Sequence, residues 1–129
     1  MSIAYWCILI AALLPYIWVT IAKQSGERYN NREPRAWQAK QTDPRSHRAN
    51  AAHLNGFESF PAFVAGVLMA QLAGVPGGTV NALAIVFVVA RVLHGIFYIG
   101  NQQALRSLVW FVGFLSALAL MVMAALKVA

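Results

Sequence analysis

The sequence predicts an all-α integral membrane protein, a bundle of four transmembrane helices. Of its 129 residues, 60% are hydrophobic and only 11% are charged, whereas roughly a quarter of the residues of a soluble domain are charged. The mean hydropathy is +0.60, and the apolar residues fall in four runs. Each run is long enough to cross ~30 Å of hydrocarbon as a helix. The length fits a single domain.

The first apolar run, residues 3–22, contains no charged residue. A secretory signal peptide is the alternative, but it would carry a basic segment before a shorter apolar core. No Lys or Arg precedes Lys23, so we expect a retained membrane helix, which Pro15 should bend. The polar residues 23–48 then follow, with glycine, asparagine and proline as helix breakers, and predict a loop.

Three further helices are separated by short turns. A glycine-rich, uncharged turn around Pro76 follows the second helix, and the polar residues 100–103 separate the third helix from the fourth. Glycine and proline in such clusters interrupt helices. These breaks predict helices over approximately residues 49–73, 79–99 and 105–127.

Basic residues are concentrated in the predicted loop 23–48. The chain has a formal net charge of +6 and ten basic residues, of which seven lie in this loop. Such clustering beside apolar helices follows the positive-inside rule and is not typical of a nucleic-acid-binding surface. We therefore expect a cytoplasmic loop facing the lipid bilayer, both termini on the opposite side, and no nucleic-acid partner.

Two charged side chains lie inside the predicted membrane helices, where an unpaired charge is costly. Helix rise places Glu58 about 13 Å and Arg91 about 12 Å from the cytoplasmic surface, at matching depth. Asn55 and His94 also lie at matching depth, one helical turn nearer to that surface. Arg91, His94 and Tyr98 share one helix face. This arrangement predicts a polar, electropositive pocket in the cytoplasmic half of the bundle.

Three other interpretations of these residues stay open. Glu58 and Arg91 could be a structural pair that joins two helices. His53, Glu58 and His94 could bind a metal ion, although Arg91 would repel a cation. Four helices around one membrane carboxylate also describe a small proton-coupled exporter that uses Glu58, although a neighbouring arginine argues against a proton carrier.

These residues resemble a known family, the membrane-associated proteins in eicosanoid and glutathione metabolism (MAPEG), over roughly residues 48–114. The resemblance rests on two patterns, Asn-x-x-Glu-x-x-Pro in one membrane helix and Arg-x-x-His-x-x-x-Tyr in the next. Each pattern alone is weak, but their combination is specific. The residues that form them are Asn55, Glu58, Pro61, Arg91, His94 and Tyr98, followed by Arg106 and Ser107.

The resemblance implies a homotrimer of four-helix subunits that bind glutathione between them. It implies a transferase or peroxidase that acts on a lipophilic electrophile or hydroperoxide, although some members are non-catalytic accessory or assembly subunits. Arg106 matches the arginine that stabilises the glutathione thiolate. The bilayer would be a bacterial inner membrane, with the site on its cytoplasmic side. The positions that match glutathione contacts are Asn55, Glu58, Arg91, His94, Tyr98 and Ser107.

The residue types suit that ligand independently. Glutathione carries two carboxylates and one ammonium, so its recognition needs arginines for the carboxylates and an acid for the amine. Arg91 and Glu58 could supply these contacts. A cation beside a thiol increases its thiolate fraction, and Arg106 is predicted near a helix N-terminus, which also favours anions.

Overall fold

Residues 2–129 fold into four long helices and one short helix. The computed structural model describes residues 2–129. Four of the five helices are long and apolar enough to cross a membrane, which confirms the predicted all-helical, four-span fold. The helices are α1 (Ser2–Lys23), α2 (Pro34–Lys40), α3 (Pro44–Ala73), α4 (Gly77–Ile99) and α5 (Gln103–Val128).

Helices α3 and α4 form the centre of the bundle. They pack against each other, and both pack against α1 and α5. Between them the buried rings of Phe63 and Phe87 stack nearly parallel, with 3.9 Å between their centroids. Leu120 of α5 and Ala11 of α1 belong to the same core. This core holds together the two helices that carry most of the polar membrane residues.

Glycines let α1 lie close to α3 and α4. A Cβ atom at Gly56 would lie 2.8 Å from Cγ of Pro15, and one at Gly95 would lie 2.7 Å from Cη2 of Trp18 and closer still to two other atoms of that ring. Only residues without a side chain allow helices to approach this closely. Helix α1 continues through Pro15 without interruption.

The segment 23–48 differs from the predicted loop. It contains the short helix α2, and α3 begins at Pro44 instead of near residue 49. Pro34 and Pro44, interpreted as breakers from the sequence, each begin a helix. Proline is favoured at the first helical position, because its φ is already helical and its missing N–H needs no partner there. Because the first turn of α3 is polar, hydropathy placed the start of this helix too late.

Asp43 caps the N-terminus of α3. Its Oδ1 accepts hydrogen bonds from the backbone N–H groups of Arg45, at 2.8 Å, and Ser46, at 3.2 Å. We expect Asp43→Ala to lower the free energy of unfolding by about 1 kcal/mol, because these N–H groups lose their acceptor. Asp43→Asn should keep most of the stability. Denaturant titration of the detergent-purified protein measures this, and equal stability of Asp43→Ala and wild type would contradict it.

A residue with a left-handed backbone conformation follows the end of both α3 and α4. Gly74 has a φ of 83° and closes α3. Asn101 has a φ of 59°, and the N–H of the next residue, Gln102, bonds the carbonyl of Phe97 at 2.8 Å. Asparagine is the usual alternative to glycine in this helix-ending motif. The tight connection at Asn101 places the first helical turn of α5 beside the last helical turn of α4.

Candidate functional site

Two adjoining cavities lie near the end of the bundle where α4 ends and α5 begins. The inner cavity has a volume of about 200 Å³ and the outer cavity one of about 240 Å³, and they share Asn55 and Trp110. The inner cavity is lined by Asn55, Glu58, Ser59, Ala62, Phe87, Arg91, Trp110, Phe114 and Ala117. The outer cavity is lined by Asn55, His94, Tyr98, Arg106, Ser107, Trp110 and Phe111.

Arg91 is held in the inner cavity by a hydrogen bond across two helices. Its Nη2 donates to Oδ1 of Asn55 at 2.8 Å, and the residue is only 5% exposed. Among residues 2–129, the side-chain partner of Arg91 is therefore Asn55. The structural pair with Glu58, which lies one helical turn further along α3, was one of the interpretations that the sequence left open. A long arginine side chain can reach a residue that is not level with its own Cα, so depth matching alone did not identify the partner.

Glu58 lines the inner cavity from α3, and its side chain is exposed on the isolated chain. It shares this cavity with the guanidinium of Arg91, so one acid and one base face the same space. An exposed carboxylate in an apolar span is costly without a partner. The structure therefore presents Glu58 as a group available to a positively charged ligand.

The outer cavity brings an imidazole, a phenol and a guanidinium into contact. The ring of Tyr98 lies edge-on to that of His94, with 5.5 Å between centroids. The guanidinium carbon of Arg106 lies 4.4 Å from the centroid of the same tyrosine ring, a distance at which a cation is attracted to a π face. Arg106 is therefore oriented by Tyr98 at the cavity wall.

Another arginine joins α3 to the C-terminus of α4 near these cavities. Nε of Arg48 donates to the carbonyl oxygen of Ile99 at 3.0 Å. Carbonyls in the last turn of a helix lack partners within the helix, and a basic side chain commonly satisfies them. This bond fixes the start of α3 against the end of α4, which carries Tyr98.

The alternative of a metal site fits the geometry poorly. His53 lies in a different groove, edge-on to Phe57 at 5.1 Å, whereas Glu58 and His94 line the inner and outer cavities. Residues 2–129 contain no group of three His, Cys, Asp or Glu side chains that could hold a metal ion. The interpretation that uses His53, Glu58 and His94 together therefore has no support in the structure.

Comparison with known protein families agrees with the fold and the polar cavities. The sequence model of the MAPEG family matches residues 3–126, nearly the whole chain. The chain belongs to the MAPEG family. No curated protein sequence matches it. MAPEG proteins are membrane proteins that act as glutathione transferases, peroxidases or related proteins.

The residues of the two cavities fit the chemistry of the glutathione that MAPEG proteins generally use. Arg91 and Arg106 can bond carboxylates or a thiolate, and Glu58 can bond an ammonium. In addition, His94 is only 2% exposed and its Nδ1 has no hydrogen-bond partner among the described residues. A buried polar atom without a partner is uncommon and costly.

Sequence reasoning missed the aromatic wall that the two cavities share. Trp110 lines both cavities and stacks on Phe114, with 5.0 Å between centroids, while Phe111 packs edge-on against it. Trp110 follows Arg106 by four residues, so the two share one face of α5. That spacing was the available signal, but an aromatic residue in an apolar helix is hard to distinguish from ordinary packing.

Proposed function

We propose that the protein is a membrane-bound, glutathione-dependent transferase or peroxidase that acts on a lipophilic electrophile or hydroperoxide. One observation carries the proposal: two arginines and one carboxylate lie around adjoining cavities whose common wall is aromatic. Charged groups suit the peptide part of glutathione, and the aromatic wall suits an apolar second substrate. Family membership supports the same chemistry.

Recognition of glutathione is assigned to polar residues of both cavities. Arg91, already oriented by Asn55, would bond a carboxylate, and Glu58 would bond the ammonium. Tyr98 and Ser107 would donate hydrogen bonds. His94 would use its unpaired Nδ1. Pre-oriented side chains lose less freedom when a ligand binds, which favours affinity.

Arg106 is assigned to activation of the thiol. Its guanidinium would lie beside the sulfur and stabilise the thiolate, which is the nucleophilic form. Bound glutathione would supply that thiolate, which bonds the electrophilic atom as the leaving group departs with its electrons. Arg106 also lies four residues before Trp110 on α5. Trp110 would hold the apolar substrate close to the sulfur. Proximity and charge stabilisation together account for most of the catalysis expected here.

The assembly and orientation belong to the same proposal. We infer a homotrimer, in which a neighbouring subunit covers the exposed carboxylate of Glu58. We infer further that the basic segment between α1 and α3 and the two cavities lie on the cytoplasmic side of a bacterial inner membrane, because the positive-inside rule places clustered Lys and Arg there. Glutathione is a cytoplasmic thiol, so this orientation gives it access.

Glu58→Gln tests the binding site. The variant keeps the shape of the side chain but loses the negative charge, so we expect glutathione to bind about tenfold more weakly or worse, as is usual for a lost charge-assisted hydrogen bond. Titration calorimetry of the detergent-purified protein measures it. The matched control is Glu33→Gln, which removes a carboxylate from the exposed segment before α2 and should bind like wild type.

Two outcomes would reject the proposed function. One is an absence of glutathione binding at millimolar concentration in the wild-type protein. The other is proton-driven export of a substrate from liposomes that Glu58→Gln abolishes, without any thiol-transfer activity in the wild type. The second result would favour the exporter hypothesis, since that class needs a membrane carboxylate that takes up and releases a proton.

A further inference from the structure

A cavity larger than the inner and outer cavities lies outside the candidate glutathione site. This groove, which we call the basic groove, has a volume of about 820 Å³ and shares no lining residue with the inner or outer cavity. It runs between the C-terminal half of α1, the segment that contains α2, and the first half of α3. Of the described residues that line it, four are basic or imidazole side chains and none is acidic: Lys23, Arg35, His47 and His53.

One end of the basic groove is polar and held in shape by aromatic contacts. Lys23 is the last residue of α1, and its Nζ lies 4.9 Å from the ring centroid of Tyr29. That ring packs edge-on against Trp37 of α2 at 5.2 Å, and Nε1 of Trp37 donates to the carbonyl oxygen of Arg28 at 2.9 Å. These contacts fix α2 as the outer wall of the groove. Arg35, on the same helix, is exposed.

The other end is mainly apolar, with the imidazole of His53 edge-on to Phe57, and extends into the membrane spans. Tyr16 and Phe57 pack edge-on at 5.6 Å, and Leu54 lies beside them in the lining. Along α1, Tyr16 precedes Lys23 by seven residues, which corresponds to about 10 Å of helix. The groove therefore changes from basic to apolar over a distance similar to that from a lipid headgroup to the first part of its acyl chains.

We propose that the basic groove binds an anionic phospholipid of the surrounding bilayer. Its phosphate lies between Lys23 and Arg35, and the start of its acyl chains lies along Leu54 and Phe57. Charge complementarity identifies the headgroup, because basic residues beside a membrane helix attract anionic lipid. The apolar half distinguishes a lipid from free phosphate, which would leave that half without a partner. The bilayer supplies this ligand directly beside the groove.

The test is a lipid titration of the double variant Lys23→Gln/Arg35→Gln, which removes both cations from the groove. Native mass spectrometry of the detergent-purified protein counts bound phosphatidylglycerol against phosphatidylcholine. Each basic residue near an anionic lipid contributes about fivefold to affinity, so we expect phosphatidylglycerol to bind roughly 25-fold more weakly. Affinity for phosphatidylcholine should be low in both proteins.

A matched control separates a site from general electrostatic attraction. Lys40→Gln/Arg45→Gln removes the same charge from the same basic segment, but both residues are exposed and neither lines the groove. This control should bind phosphatidylglycerol like wild type. An equal loss in both double variants, or no loss in either, would overturn the proposal. If Lys23→Gln/Arg35→Gln fails to fold, the exposed single variant Arg35→Gln should still show about a fivefold loss.

A third arm identifies the source of the phosphate. Inorganic phosphate should displace phosphatidylglycerol only weakly; displacement at matched concentration would assign the groove to a free anion and reject the lipid. Phosphatidylglycerol with a nitroxide label at the headgroup end of an acyl chain should also quench tryptophan fluorescence in the wild type more than in Trp37→Phe, because Trp37 lines the polar end of the groove. Equal quenching in the two proteins would place the lipid elsewhere and contradict the proposal.

Discussion

Arg106→Ala is expected to lower kcat/KM for glutathione conjugation about a hundredfold or more. Loss of a charged group that stabilises a developing or reacting anion typically costs this much in enzymes. The effect should be mainly on kcat, because Arg91 and Glu58 would still hold glutathione. Steady-state kinetics with an apolar aryl halide, together with the ultraviolet absorbance of the bound thiolate, measure both parts of the prediction.

Two controls make the Arg106 experiment specific. Lys127→Ala removes a cation from the other end of α5, outside both cavities, and should leave kcat/KM unchanged. Arg106→Lys keeps the charge but lacks the planar guanidinium that faces Tyr98, so we expect an intermediate rate. Wild-type activity and an unchanged thiolate absorbance in Arg106→Ala would remove Arg106 from the mechanism.

The membrane fold could be predicted because lipid imposes a simple rule on sequence. Every backbone group in the hydrocarbon must be bonded within the protein, so a long apolar run becomes a helix. The polar residues stood out for a related reason, since a charge such as Arg91 is expensive in that environment. Helical spacing then placed His94 and Tyr98 on the same face as Arg91, and all three line the two cavities.

The features that could not be predicted from the sequence depend on single residues and on side-chain conformations, which helical spacing does not determine. Pro34 and Pro44 begin helices instead of interrupting a loop, and proline is compatible with either role. The hydrogen bond from Arg91 to Asn55 depends on how a long side chain turns, which helix rise does not determine. Trp110 was missed because aromatic residues in an apolar helix usually serve packing.

The basic groove illustrates a different limit. The clustering of basic residues predicted a cytoplasmic loop but gave no reason to expect a wall. That wall exists because α2 is folded and because Trp37 bonds the carbonyl of Arg28. Tyr29 and Lys23 then complete the polar end. A cavity that combines a loop with two membrane helices is a tertiary feature, so no local pattern predicts it.

Gly95→Ala is expected to destabilise the bundle more than alanine at Gly56, Gly66 or Gly113, the other glycines that pack between its helices. The new Cβ would lie 2.7 Å from Cη2 of Trp18 and closer to two other atoms of its ring. Trp18 is only 7% exposed and packs with Leu14 and Ala52, so the rigid indole has little room to move. Overpacking typically costs 1–3 kcal/mol, and this contact should cost about 3 kcal/mol.

The same substitution should also damage the candidate site, because Gly95 directly follows His94 and a shift of α4 away from α1 would carry Arg91 with it. The matched control is Gly78→Ala in the first turn of α4, where an added Cβ meets no atom within 4 Å; its stability should equal or slightly exceed that of wild type.

Trp18→Leu in the Gly95→Ala background should recover part of the loss, since residues in contact are energetically coupled. Thermal unfolding of the four detergent-purified proteins measures these effects. If Gly95→Ala and Gly78→Ala unfold at the same temperature, the close packing of α1 on α4 does not stabilise the bundle as argued.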